Sequence, residues 1–319
     1  MTNRREFVRS GLGLVAAGYF RPTRAASALA AQTGGAARLP IGFSTLGCPK
    51  WTLQQAVDFA AAHDFSGIEL RGIQDKMDLT QLPELTTGLA SSEALLEKNQ
   101  VVVVSLGSSA EMHVADPVKR AAQMDEARRF IDLAQRLGAP YVRVFGNKYV
   151  PDEAREVTLA RIAAGLRELG DYAKGKRVTV IIESHGDFTD SPTLLDLMKR
   201  ADSPNVAILW DAHHTFVSGK EQPEDTVRQL GKYIRHTHLK DSVPAANDRR
   251  YVLTGTGEVP VKRQIAALSR IGYQGFYNFE WEKRWHPEIE EPEIAFAQYA
   301  QVVSGYLREA GVGPRSAQR

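Results

Sequence analysis

The sequence predicts an α/β fold, a single (β/α)8 TIM barrel, from three observations. Eight short apolar runs alternate with helical patterns from Leu39 onward, as a parallel sheet covered by helices requires. Four of those runs, VTVIIE, VAILWD, YIRHTH and FYNFE, end on Glu183, Asp211, His238 and Glu280, side chains that bind metals. The gaps between the four are 28, 27 and 42 residues, and the first two fit one strand, one helix and two short loops. Consecutive β/α units would thus deliver one ligand each to the same rim, where (β/α)8 barrels carry their chemistry. The length of 319 residues, 43% hydrophobic, holds one barrel of about 250 residues with extensions.

The predicted strands are Ile41 to Leu46, Gly67 to Arg71, Val101 to Leu106, Tyr141 to Phe145, Val178 to Glu183, Val206 to Asp211, Ile234 to His238 and Phe276 to Glu280. Helical periodicity fills Leu53 to Ala62, Pro117 to Leu137, Glu153 to Lys174, Thr193 to Arg200 and Val261 to Ile271, and Ile294 to Glu309 closes the ring. Asp116-Pro117 is a helix start, an N-cap acid before a proline at the first helical position, and Gly138 is a stop. No GxGxxG follows the first strand, which argues against a Rossmann sheet. Two long connections, Ile73 to Leu89 and Ser242 to Pro260, follow strands and so belong on the active rim as lids or substrate walls.

Residues 1–30 read as a separate segment, with the barrel in residues 31–319. Asn3-Arg4-Arg5-Glu6-Phe7-Val8-Arg9 resembles a twin-arginine export signal, followed by a mildly apolar stretch from Gly11 to Phe20 and the small-residue pattern Ala28-Leu29-Ala30. The apolar stretch is short of the roughly 20 residues that span a bilayer. The resemblance implies a periplasmic protein. Five arginines and one glutamate lie in the segment, so the formal charge of +2 becomes −2 without it, 35 basic residues against 37 acidic. The basicity therefore belongs to the signal, and neither a nucleic-acid partner nor a membrane surface follows from it. The one cysteine, Cys48, excludes an intrachain disulfide and reads as a packed small residue.

Three carboxylates and one imidazole form a mainly oxygen shell that suits manganese first, then magnesium or cobalt, with zinc also compatible. Three carboxylates crowded into a partly dry barrel mouth need a cation, or repulsion would protonate some of them. The alternative is that they pair with Arg143, Lys240 and Arg71 on neighbouring strand ends.

These fragments resemble the xylose isomerase-like barrels, which include sugar isomerases, ketose 3-epimerases, inosose dehydratases and AP endonucleases. The resemblance spans roughly residues 40 to 310 and rests on Ile182-Glu183-Ser184-His185, Trp210-Asp211-Ala212-His213-His214, His236-Thr237-His238-Leu239-Lys240-Asp241 and Phe279-Glu280. It implies that Glu183, Asp211, His238 and Glu280 hold the metal and that His214 touches substrate or orients a ligand. It further implies that Glu183 and Glu280 are the acid–base pair, one removing a proton beside a carbonyl and the other returning one on the opposite face. The extra metal ligands of the three-zinc endonucleases are missing: the matching regions read Ile68-Glu69-Leu70-Arg71, Val104-Ser105-Leu106 and Arg249-Arg250-Tyr251.

Other rim residues are weaker candidates for substrate contact. His185 shares strand parity with Glu183, whereas His236 lies deeper. Glu69, Arg71 and Arg143 could bind sugar hydroxyls or pair with one another. Lys240 could stabilise an enediolate oxygen or neutralise Glu280. Trp51, Phe188, Phe216, Trp281 and Trp285 follow strands, where rings stack on sugar C–H faces or simply pack. Gly255-Thr256-Gly257 reads as a loop turn ahead of a phosphate cradle. The expectation is a metal-dependent sugar isomerase or epimerase acting on a small sugar or keto sugar, compatible with a homo-oligomer. The runner-up is a lyase of the same fold acting on an inosose or a 3-keto sugar or glycoside, and the third reading is a catalytically silent sugar-binding protein.

Overall fold

A computed structural model describes residues 37–246 and 249–315. The export-signal segment, residues 1–30, lies outside the described residues. In chain order the strands are β1 (Ile41–Ser44), β2 (Gly67–Leu70), β3 (Val102–Glu111), β4 (Tyr141–Phe145), β5 (Thr179–Glu183), β6 (Val206–Asp211), β7 (Ile234–Leu239), β8 (Asp241–Pro244), β9 (Arg249–Val252) and β10 (Tyr277–Phe279). Strands β1 to β7 and β10 close into a parallel barrel in that order, with β10 returning to β1. Strands β8 and β9 form an antiparallel hairpin beside it.

Pairing in register sets the rim. Glu183 lies opposite Phe145, Asp211 opposite His238, and Leu239 opposite Phe279, so the four candidate ligands share one layer at the strand ends. Side chains alternate along each strand. Ile181, Ala207 and Leu209, inward by the parity of Glu183 and Asp211, pack together below them, with Tyr141 against the cluster. The opposite parity meets the helices: Phe43 stacks on Phe296 at 4.2 Å between centroids, and Phe279 on Tyr299 at 4.3 Å.

The helices start and stop where short-range chemistry dictates. In α1 (Leu53–Ala62) the Thr52 hydroxyl accepts from the Gln55 amide while the Gln55 side chain accepts from the Thr52 amide. After α2 (Leu89–Asn99), α3 (Pro117–Leu137) is capped by Asp116, with Pro117 in its first turn, and ends at left-handed Gly138. The rest of the ring is α4 (Arg155–Ala173), α5 (Ser191–Ala201), α6 (Ala212–Val217), α7 (Pro223–Leu230), α8 (Val261–Arg270) and α9 (Pro292–Glu309). No described helix is long and apolar enough to cross a membrane.

Four segments depart from the expected pattern. Strand β3 continues past the predicted end at Leu106 to Glu111 because partners distant in sequence hold it: the Ser109 amide donates to Glu126 and the Glu111 amide to Gln123, both on α3. The connection after β2 is packed down, burying Leu79, Leu82 and Leu85. The connection after β7 is built on the β8–β9 hairpin. The last strand ends one residue early, at Phe279, with the Glu280 amide still donating to the Leu239 carbonyl.

Candidate metal centre and cleft

Glu183, Asp211, His238 and Glu280 bring one ligand atom each to within 4.8 Å of one another, all buried. His238 Nδ1 lies 3.1 Å from Glu280 Oε1, 3.4 Å from Glu183 Oε1 and 4.0 Å from Asp211 Oδ2. Bonds of about 2.1 Å in an octahedral shell separate neighbouring ligand atoms by about 3.0 Å and opposite ones by about 4.2 Å, so these spacings fit a small divalent cation. A second observation supports the fit. The other ring nitrogen of His238, Nε2, lies 3.0 Å from Glu69 Oε2, while Nδ1 is buried without a hydrogen-bond partner. A carboxylate behind the imidazole is how metal-bound histidines are oriented, and it leaves Nδ1 as the ligand.

Cations flank the cluster on two sides. Arg143 Nη1 donates to Glu183 Oε2 at 2.6 Å, and its guanidinium lies over the Phe145 ring at 3.8 Å. Lys240 Nζ donates to Asp211 Oδ2 at 2.7 Å, to Glu282 Oε1 at 2.8 Å and to Glu280 Oε2. Of the ion pairs weighed from the sequence alone, those of Arg143 and Lys240 form around the cluster and that of Arg71 does not, and His238 Nδ1 is left without a hydrogen-bond partner. Burial disfavours a charged His238, but Glu280, Glu69 and Glu183 outweigh it and push the imidazole well above its ordinary range. Burial likewise opposes a charged Glu183, and Arg143 overcomes it, holding the carboxyl down to about 2.

The remaining predicted contacts separate into two groups. Arg143, His185 and His214 line a cleft with Glu183 and Glu280, whereas Lys240 does not line it and lies fully buried, bonded to the cleft-lining Glu280 and Glu282. His185 Nδ1 lies 3.2 Å from Asn147 Oδ1, and its ring meets that of His214 edge-on at 5.1 Å. His214 Nε2 is 3.5 Å from Asp211 Oδ2. Glu69 and Trp51 do not line this cleft. Glu69 is buried and bonded to His236 and His238, one layer below, where its role is to orient the imidazoles. Trp51 packs against Phe59 and Phe296. Cys48 is buried, as a packed residue should be.

Sequence reasoning missed Glu282, Glu111 and Asn147 in the cleft lining. Glu282 could have been found, since it shares parity with Glu280 two residues on. Burial raises its carboxyl to about 7, with Lys240 pulling the other way. Glu111 accepts from Asn147 at 2.7 Å and rides on the unpredicted extension of β3. Asp241 was also unassigned: its carboxylate accepts from the amides of Ser242, Gly255, Gly257 and Val259. The Gly255-Thr256-Gly257 turn is therefore spent on holding the loop against β8. A Cβ at Gly257 would come 2.2 Å from Asp241 Oδ1, which is why glycine stands there.

A family model described as xylose isomerase-like TIM barrel matches residues 57–300. An inosose dehydratase from Geobacillus thermodenitrificans is 31% identical over 165 residues, 46% of this chain and 52% of that protein, so the chain spans about half the length of that relative. A fructoselysine 3-epimerase from Shigella flexneri is 23% identical over 250 residues, 75% of this chain and 88% of that one. Among solved structures, D-allulose 3-epimerase from Methylomonas sp. superposes with a TM-score of 0.66 at 18% identity, covering 85% of this chain and 99% of that chain, a likeness of fold. A match that runs from the first barrel helix to the last makes this chain a member of the xylose isomerase-like TIM barrel family.

Proposed function

We propose that this protein is a divalent-metal-dependent sugar isomerase or epimerase that moves a carbon-bound proton next to a carbonyl of a small sugar or keto sugar. The observation that carries the reading is the pair Glu183 and Glu280. Both line the cleft, both approach His238 Nδ1, at 3.4 and 3.1 Å, and each is ion-paired to its own cation, Arg143 or Lys240. Two carboxylates so placed can take a proton from one face of a substrate carbon and return one to the other. Manganese is the metal we favour, bound by Glu183, Asp211, His238 and Glu280, and it would supply the positive charge that polarises a carbonyl oxygen. Lys240 and Arg143 keep the two glutamates turned inward, while His185 and His214 offer ring nitrogens to substrate hydroxyls. The likeness to an epimerase over most of both chains supports this class.

The relation to an inosose dehydratase favours a second outcome, in which the same abstraction is followed by loss of a group at the neighbouring carbon. Deuterium uptake from D2O into a panel of keto sugars, followed by NMR, tests both. Uptake with a shifted carbonyl or inverted centre supports the isomerase, and uptake with release of water or an aglycone supports the lyase. No uptake by the metal-loaded protein from any polyol-derived ketone contradicts both.

We also propose export to the periplasm, on the Arg4-Arg5 motif. Changing both to lysine should hold a folded precursor in the cytoplasm, and undiminished periplasmic accumulation would contradict it.

A further inference from the structure

We propose that the substrate carries a carboxylate and that Arg71 receives it; the inference rests on the cleft being the substrate site of the proposed function. Arg71, just past the end of β2, is buried and lines the cleft beside Glu183, Glu280 and His185. Its guanidinium donates to the Ser109 hydroxyl at 3.0 Å and to the Gly107 carbonyl at 3.4 Å, both neutral. Among the described residues no carboxylate lies within 4 Å of it. The nearby acids are engaged elsewhere: Glu183 by Arg143, Glu280 by Lys240, Glu69 by His236 and His238.

A buried guanidinium with no carboxylate in contact is costly, and neutral oxygens satisfy its N–H groups without matching its charge, while Glu183, Glu280 and Glu69 act on it only from farther off. The surrounding structure nonetheless makes room for it. A Cβ at Gly107 would lie 2.5 Å from Arg71 Cδ and 2.9 Å from Arg143 Nη2, so β3 carries a glycine where the two arginine side chains press on it. The extension of β3 that supplies Ser109 is held by Gln123 and Glu126 from α3. Those two bonds hold the guanidinium where it lines the cleft, and its planar fork of N–H donors matches a planar carboxylate. A single unpaired guanidinium matches a monoanion better than a phosphate dianion, because Arg143 is already committed to Glu183.

The test compares ligands that differ at one end only. Binding of D-fructuronate, D-fructose and D-fructose 6-phosphate to the manganese-loaded protein is measured by calorimetry, with Arg71→Gln and Arg71→Lys alongside and metal content and melting checked for each. The expected result is at least about tenfold tighter binding of the uronate than of the neutral ketose, a ratio that falls to near one in Arg71→Gln and is only partly kept in Arg71→Lys. Equal affinity for uronate and ketose, or a preference that survives Arg71→Gln in a folded, metal-loaded variant, would overturn the assignment. Tighter binding of the phosphate than of the uronate would overturn the carboxylate. Because binding is read without turnover, these outcomes are distinct from a failure of proton exchange, which bears on the proposed function alone.

Discussion

The two arcs of the barrel rim use charge in opposite ways. At the ends of β5, β6, β7 and β10 stand Glu183, Asp211, His238 and Glu280, an acidic arc in which one ligand atom from each lies within 4.8 Å of the others. Along β2 to β4 the rim carries Arg71 and Arg143, the two guanidiniums that crowd Gly107. The acidic arc is built to collect a cation, and the basic arc both braces that cluster through Arg143 and leaves one cation, Arg71, facing the cleft. Substrate bound between them would meet an electrophilic centre on one side and an anion anchor on the other.

The sharpest way to break the acidic arc is to remove its proton-transfer groups. Glu183→Gln and Glu280→Gln should each lower proton exchange by about 10²- to 10⁴-fold, and isotope placement should show them acting on opposite faces. Equal effects on both faces from either substitution would mean that one glutamate does both jobs. The bracing role of Arg143 is tested by Arg143→Leu in metal-free protein. The buried Glu183 carboxylate loses its partner there, so chemical denaturation should show a loss of about 3–5 kcal/mol. A loss under about 1 kcal/mol would show that the pair is dispensable.

Glu69→Gln probes the layer beneath. It keeps the shape of the side chain but weakens the hold on His238 Nε2, so metal affinity should fall by about 10- to 100-fold while the melting temperature changes little. Unchanged affinity would return Glu69 to a purely packing role. The smallest effect concerns pH. The His238 imidazole is pushed above its ordinary range in the ion-free protein, so a proton must leave Nδ1 before a metal binds there. Affinity should therefore rise with pH through neutrality, by about tenfold per unit, and calorimetry in buffers of different ionisation enthalpy should show one proton released. A flat profile across pH 6–8 would contradict that protonation.

The two arcs also differ in how far the sequence reveals them. The acidic arc is legible because each ligand terminates an apolar run, so strand periodicity alone places it at the rim and a common spacing places it on successive units. Eight strands and the closed barrel follow from the same alternation. The basic arc depends on contacts that no local pattern records. The continuation of β3 to Glu111 is fixed by Gln123 and Glu126, residues on the following helix, and without it Ser109, Glu111 and the clearance at Gly107 have no visible purpose. Glu69 shows the same limit: strand parity turns it inward, but its depth below the rim is set by His236 and His238 on a strand more than 160 residues away. Trp51 lies after a strand as a substrate platform would, yet the packing of Phe59 and Phe296 claims it.

The central claim is that the acidic arc holds one divalent cation through His238 Nδ1 and an oxygen each from Glu183, Asp211 and Glu280. Anomalous diffraction from a crystal grown with manganese tests it most directly. The account predicts one strong peak among those four atoms, with Lys240 Nζ still on Glu282 and the His238 Nε2 edge still on Glu69, and loss of the peak in His238→Ala. No peak among the four, or a peak between Glu69 and His236 instead, would contradict it.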